Sequence, residues 1–304
     1  MGVLVVGSVA FDSVKTPFGE ARDILGGAAT YFSLAASFFT EVSLVGVVGS
    51  DFTDEHVQVL SGKGIDLRGL ERVPGKTFRW AGEYSYDLNN RTTLDTQLNV
   101  FATFKPRVIP EYQALEYVFL GNIDPALQRD VLRQIKRPKL VGLDTMNYWI
   151  EGHLPSLHET LKRVDLLIIN DSETRQLTQE HNLLKAARRV QQLGPKTLVI
   201  KRGEYGVLLY HAGHWFSAPA FPLEEVFDPT GAGDTFAGGL MGYLAAADSQ
   251  TPADLKKAIV FGSVLASFTV EEFGVQRLAR LTYPEITERY RQFKALTHFE
   301  DIPT

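Results

Sequence analysis

Apolar residues along this chain fall into short runs separated by polar or helical stretches, with one region that breaks the rule. Val3 to Val6 are Val and Leu throughout and stop at Gly7, the pattern of a strand buried on both faces. Val42 to Gly49 reads as a second strand, and Tyr117 to Gly121, Leu140 to Asp144, Asp165 to Ile169 and Thr197 to Ile200 read as further ones. Helical or polar sequence follows each run. Repeated strand–helix alternation predicts an α/β chain with a mostly parallel central sheet covered by helices on both faces. Leu25 through Phe38, Phe236 through Leu244 and Ala258 to Phe273 carry apolar and small residues at helical spacing. Pro284 to Phe293 is a charged amphipathic helix that covers the sheet.

The exception is Lys76 to Val100. Phe78, Trp80, Tyr84 and Tyr86 fall on one parity, and Arg79, Glu83, Ser85 and Asp87 on the other, the period of a strand with one apolar face. A turn at Leu88-Asn89-Asn90 leads into Arg91 to Val100, with Leu94, Leu98 and Val100 opposed to Asp95, Gln97 and Asn99. The two segments predict a β-hairpin inserted into the α/β chain, either a lid or an interface.

With 304 residues the chain can bury a large core, and we expect a single domain over 1–304. Lys and Arg number 31 against 36 Asp and Glu, a net charge of −5, which gives no general attraction to nucleic acid or anionic membrane. Cysteine is absent, so disulfides and thiolate chemistry are excluded. The first ten residues are apolar but lack a basic n-region, and the run ends at Phe11-Asp12. No apolar run reaches the roughly 18 residues of a membrane span. The expectation is a cytoplasmic enzyme acting on a small molecule.

The chemistry concentrates in Phe227 to Leu240, F-D-P-T-G-A-G-D-T-F-A-G-G-L. Gly231, Ala232 and Gly233 lead into a helix, whose first N–H groups have no internal partner and favour an anion. Asp234 in that first turn has two readings: an ordinary dipole-favoured helix start, or a general base that takes a proton from an attacking hydroxyl.

The string resembles the C-terminal motif of the ribokinase/PfkB family of carbohydrate and nucleoside kinases, D-T-x-G-A-G-D-x-F. That resemblance implies a ribokinase-like fold with a small β-sheet lid, here from about 10–20 and 76–103. It implies that Asp234 is the base and that the Gly231, Ala232 and Gly233 backbone forms the anion hole. Asp228 and Thr230 match positions that help bind an activating monovalent cation, K⁺, in some members.

Other parts of the chain resemble the family too. Asp12 matches the acidic residue that holds the acceptor sugar, and Gly26-Gly27 match the N-terminal double glycine. Thr30 and Tyr31 stand where a substrate-contacting Asn is expected, which makes Tyr31 a candidate acceptor contact of a different shape. Asn99, Arg79 and Asp95 are candidates on the polar parity of the lid. Asn170-Asp171-Ser172-Glu173 is by itself a helix cap; by resemblance Asn170 and Glu173 position Mg-ATP, with Glu173 acting on Mg²⁺ through water. Lys201, Gly203 and Ser263 fall where the family binds the nucleotide. Asp144 with Asn147 is similar to the family's D-x-N-x-R, one residue wider and without the Arg.

These features imply transfer of the γ-phosphoryl of Mg-ATP to a primary alcohol of a sugar or nucleoside. Tyr31 and the aromatic lid lean toward a nucleoside, and a homodimer through the lid is expected. A non-catalytic nucleotide- or sugar-binding regulator on the same scaffold is the alternative. The Walker string is absent, which excludes a P-loop kinase, and the third glycine of G-x-G-x-x-G would fall on Phe236, which makes a nicotinamide dehydrogenase a poor third reading.

Overall fold

The computed structural model describes residues 2–300. Its strands are β1 Gly2–Val6, β2 Ala10–Thr16, β3 Gly19–Gly26, β4 Glu41–Val48, β5 Asp66–Arg72, β6 Phe78–Tyr84 and β7 Arg91–Gln97. They continue as β8 Tyr117–Leu120, β9 Leu140–Asp144, β10 Leu166–Asn170, β11 Thr197–Lys201, β12 Val207–His211 and β13 His214–Ala218. Nine of them form one sheet in the order β13, β12, β11, β10, β9, β8, β1, β4, β5. Pairing is parallel from β5 across to β11 and antiparallel only at the β12 and β13 edge.

Alternate residues of β1 show why the apolar runs are unbroken. Val3 and Val5 pack with Phe32, Leu240 and Ile259 on one face, while Leu4 and Val6 pack with Val131, Leu157 and Val190 on the other. Both faces are covered, so every position must be apolar. On the first face the helices Ala28–Ala36 and Ala232–Ala247 cross closely. A side chain at Gly238 would overlap the Phe32 carbonyl, and one at Gly242 would sit 2.8 Å from the Ala36 Cα. Those glycines set how near the helix bearing Asp234 lies to the helix bearing Tyr31.

The remaining four strands form a small sheet in the order β3, β2, β6, β7. Hairpins β2–β3 and β6–β7 are antiparallel and join through a parallel β2–β6 pair. Asp12 therefore lies inside strand β2, not in a loop after β1. The predicted hairpin forms, but its second strand departs from simple alternation. Leu94 is an extra residue between Thr93, paired with Gly82, and Asp95, paired with Ala81. The bulge leaves Leu94 and Leu98 exposed at 59% and 45%, and the chain turns into a 3₁₀ helix over Asn99–Thr103. Tyr86, on the apolar parity, stands in the hairpin turn and is also exposed. Strand β7 is exposed along its length, the edge where the expected dimer would form. Among the described residues no helix is long and apolar enough to cross a membrane.

Candidate active site

Three neighbouring strands deliver charge to one place. Asp144 ends β9, Asn170 ends β10 and Lys201 ends β11, with Asn170 in register with Lys201 and Ile168 with Asp144. In parallel sheets the carboxyl ends of strands are where ligands bind. Lys201 Nζ lies 3.4 Å from Asp144 Oδ2, with both side chains largely buried. Burial pushes the Asp144 carboxyl up, and Lys201 opposes the shift. Burial works against the Lys201 ammonium, but Asp144, Glu173 and Asp234 hold its pKa above the ordinary value.

Asn170 caps the helix Asp171–Thr178 in a reciprocal box. Glu173 N–H donates to Asn170 Oδ1 at 2.7 Å, and Asn170 N–H donates to Glu173 Oε2 at 2.8 Å. The capping reading is thus realised, and it also fixes where the Glu173 carboxylate points. Burial pushes that carboxyl up to about 7, with Asp144 adding to the shift and Lys201 opposing it. A buried carboxylate so disfavoured in its charged form suits a nearby cation.

Across from these strand ends the Ala232–Ala247 helix begins. Gly231 is its N-cap in the left-handed region, φ 76°, a conformation that costs other residues energy. The Tyr31 ring lies directly against Gly231, and any Cβ there would overlap it. Of the expected anion-hole amides, that of Ala232 already donates to the Pro229 carbonyl at 3.2 Å. Gly233 and Asp234 carry first-turn amides to which helix geometry gives no internal partner. Asp234 is half-buried, and burial pushes its carboxyl up to about 7, with Asp144 adding and Lys201 and Arg91 opposing.

On the other side, Asp12 is buried and its carboxyl is pushed up to about 7 by burial, against the Gly27 N–H that it accepts. Any side chain at Gly26 would overlap this carboxylate. Asp228 is fully buried; its two oxygens accept N–H bonds from Thr230 at 2.8 Å and Gly274 at 3.2 Å, and burial raises its pKa.

Strand register shows which lid face looks into the site. Asp12 pairs with Trp80 and Trp80 with Thr96, while Tyr84 pairs with Arg91. Tyr84 OH accepts from Thr230 Oγ1 at 3.2 Å, beside the Gly231 turn. The inner face therefore carries Asp12, Trp80, Tyr84 and Arg91: the aromatic parity faces in. Arg79 and Asp95 lie on the opposite face, where Arg79 pairs with Asp23 and, at 3.0 Å, with Asp51. Asn99 Nδ2 donates to the Thr77 carbonyl at 3.0 Å, a bond that ties the end of the hairpin to its start. Ser263 Oγ donates to the Ile259 carbonyl one turn back in its own helix, at 3.0 Å. Gly203, φ 56°, opens a 3₁₀ turn against Asn89 of the lid, and Asn89 Nδ2 donates to Glu204 Oε1 at 2.9 Å.

Residues 5–280 match the pfkB family of carbohydrate kinases. This chain belongs to that family. It is a kinase of the carbohydrate and nucleoside class. It is 33% identical over 253 residues to the cytidine kinase of Thermococcus kodakarensis, covering 80% of this chain and 88% of that one. It is 26% identical to the nucleoside kinase of Methanothermobacter thermautotrophicus, covering 98% and 97%. The nucleoside kinase of Methanocaldococcus jannaschii, an archaeal ribokinase-family structure, superposes with a TM-score of 0.77 at 19% identity, covering 96% of this kinase and 98% of that chain. The ribokinase-like fold with its small lid sheet is thus established.

Sequence reasoning missed Trp80 and Tyr84 as residues of the site and considered Arg91 only as part of a cationic clamp for a phosphosugar. Their parity was visible; the sense of the face was not. Lys15 and Arg79 do not join Arg91 on that face, because Lys15 pairs with Glu83 at 2.7 Å and Arg79 pairs with Asp23 and Asp51.

Proposed function

We propose that this kinase transfers the γ-phosphoryl of Mg-ATP to the primary alcohol of a nucleoside. The carrying observation is the lid's inner face, where Trp80 and Tyr84 share one surface with the buried carboxylate Asp12. A nucleoside offers a flat base to stack on aromatic rings and ribose hydroxyls to donate to a carboxylate. The names of the relatives from Thermococcus and Methanothermobacter support the same class. So does the likeness in fold to the Burkholderia thailandensis nucleoside kinase in complex with inosine.

Asp234 is the general base. The acceptor hydroxyl gives its proton to Asp234 as its oxygen attacks the γ-phosphorus, and the bond to the β–γ bridging oxygen breaks with its electron pair leaving on ADP. The Gly233 and Asp234 amides, with the Gly231 turn behind them, stabilise charge on the transferring group. Lys201 supplies positive charge from the strand side, and Asn170 and Gly203 hold the nucleotide end. Ser263 lines the neighbouring helix on that side.

Glu173 fits Mg²⁺ through water, which when bound would neutralise nucleotide phosphate charge. Asp228 and Thr230 suit a monovalent cation, since a fully buried carboxylate there lacks a cationic side chain among its hydrogen-bond partners. The sheet formed by β2, β3, β6 and β7 is the lid that excludes water during transfer.

The test is ADP release from Mg-ATP with nucleosides, free sugars, sugar acids and phosphosugars, using Asp234→Asn as control. Nucleosides should turn over best, with a loss of at least about 10²-fold in the variant. Preference for a free sugar would overturn the acceptor assignment. ATP binding without turnover of any acceptor would favour the regulatory scaffold.

A further inference from the structure

The geometry points to Arg91 as a catalytic residue whose guanidinium, carried on the lid, binds the γ-phosphoryl oxygens during transfer. This rests on the kinase reading above and adds a group that neither the motif nor the strand ends supply.

Arg91 opens strand β7, opposite Tyr84 and on the same face as Asp12 and Trp80. Its guanidinium carbon lies 5.1 Å from the Trp80 ring centroid, an arrangement that holds the head group against the inner face of the lid. Tyr84, its cross-strand partner, meets Thr230 immediately before the Gly231 turn. The hairpin turn just before Arg91 is tied to the nucleotide loop by the Asn89–Glu204 bond. The hairpin that carries Arg91 is thus tied down on two sides, to Thr230 before the Gly231 turn and to Glu204 beside Gly203.

Its charge is felt across the whole site. Arg91 lowers the pKa of Asp12 at the acceptor end, of Asp234 at the centre and of Glu173 at the donor end. A single charge felt by all three adds to the strand register that puts Arg91 on the inner face of the lid. Among the described residues it has no carboxylate within ion-pair distance, whereas Lys15, Arg79 and Lys201 each have one. Lys201, half-compensated by Asp144, is the other cation there, and the segment from Asp144 to Trp149 contributes none. Phosphoryl transfer spreads negative charge over equatorial oxygens, which a planar guanidinium matches with two parallel bonds. Because Arg91 arrives with the lid, the charge is complete only when water is excluded. Arg91 exchanges no proton in the step; it binds the group while the oxygen–phosphorus bonds form and break.

The experiment compares wild type, Arg91→Met, Arg91→Lys and Asp234→Asn in steady-state turnover of Mg-ATP with cytidine. Calorimetry then measures Mg-ADP binding with and without aluminium fluoride, which mimics the transferring phosphoryl group. Arg91→Met should lower kcat by about 10²- to 10³-fold. The KM for cytidine and the Kd for Mg-ADP should stay within about threefold, with the tighter aluminium fluoride complex lost. Arg91→Lys should fall between, since an ammonium cannot form the paired bonds.

A kcat for Arg91→Met within about threefold of wild type, or a loss confined to KM, would overturn the proposal. So would an unchanged aluminium fluoride complex, a readout that holds whichever acceptor is preferred. Failure of the kinase reading looks different: Asp234→Asn would then match wild type.

Discussion

Tyr84 on the lid and Thr230 in the loop before the Ala232–Ala247 helix meet hydroxyl to hydroxyl at 3.2 Å, although 146 residues separate them. This contact joins the lid's inner face to the turn proposed to shape the anion hole. Tyr84→Phe should raise the KM for the nucleoside about 2- to 10-fold, the scale of one net hydrogen bond, with little change in melting temperature. Steady-state kinetics with saturating Mg-ATP measures this, and an unchanged KM would show that the contact does not hold the lid.

Asp12, Glu173 and Asp234 are each pushed up to about 7 by burial. In the unfolded chain they ionise near 3.8 for Asp and 4.5 for Glu. Between those values and about 7 the folded protein holds more protons than the unfolded one. Their contribution to stability is therefore fully present below about pH 4 and is lost as pH rises through about 7. The ligand-free melting temperature should fall between pH 5.5 and pH 8. Asp66 and Glu285, lowered to about 2 by their arginine, hydroxyl and backbone partners, contribute changes only at much more acid pH. A melting temperature that rises across the same interval would contradict this balance.

Activity should move the other way over that window. A general base must be ionised, so kcat/KM should climb with pH to a plateau above about 7 as Asp234 deprotonates. A pH–rate profile of wild type checks it, and a flat profile between pH 5.5 and 8 would remove Asp234 from the role.

Gly231 and Gly233 should differ under the same substitution. Gly231→Ala meets both the left-handed backbone, φ 76°, and the Tyr31 ring. It should destabilise the fold by about 1–3 kcal/mol or more. At Gly233 a Cβ would stand 2.9 Å from Lys201 Nζ, the free end of a flexible chain. Gly233→Ala should melt close to wild type yet lose activity, by up to about 10²-fold if Lys201 is displaced by an ångström. Thermal melts and turnover on the two variants separate these effects.

Lys201→Met removes the partner of Asp144, whose side chain is only 9% exposed. Breaking such a pair leaves a buried charge and costs about 3–5 kcal/mol. Lys201→Met with Asp144→Asn should recover part of that stability and none of the activity. Denaturant unfolding of the single and double variants measures the recovery; full additivity would show that the two groups do not interact.

The sequence by itself determined whatever depends on neighbours along the chain. Hydrophobic runs such as Val3 to Val6 follow from burial on both faces, and the Asn170–Glu173 box from spacing within one helical turn. The G-A-G-D string sets a left-handed turn into a helix, which needs only Gly231 and its next few residues. Only the tertiary structure decided matters of pairing. Lys201 chooses Asp144 from 57 residues away, and Arg79 chooses Asp51 and Asp23 instead of the site. The alternation of Phe78 to Tyr86 defined two faces of a strand, but an alternating pattern is the same viewed from either side. The pairing of β6 with β2, and the contact of Tyr84 with Thr230, placed the aromatic face inward with Arg91 on the same face. A period fixes which residues share a face, while long-range packing fixes what that face meets.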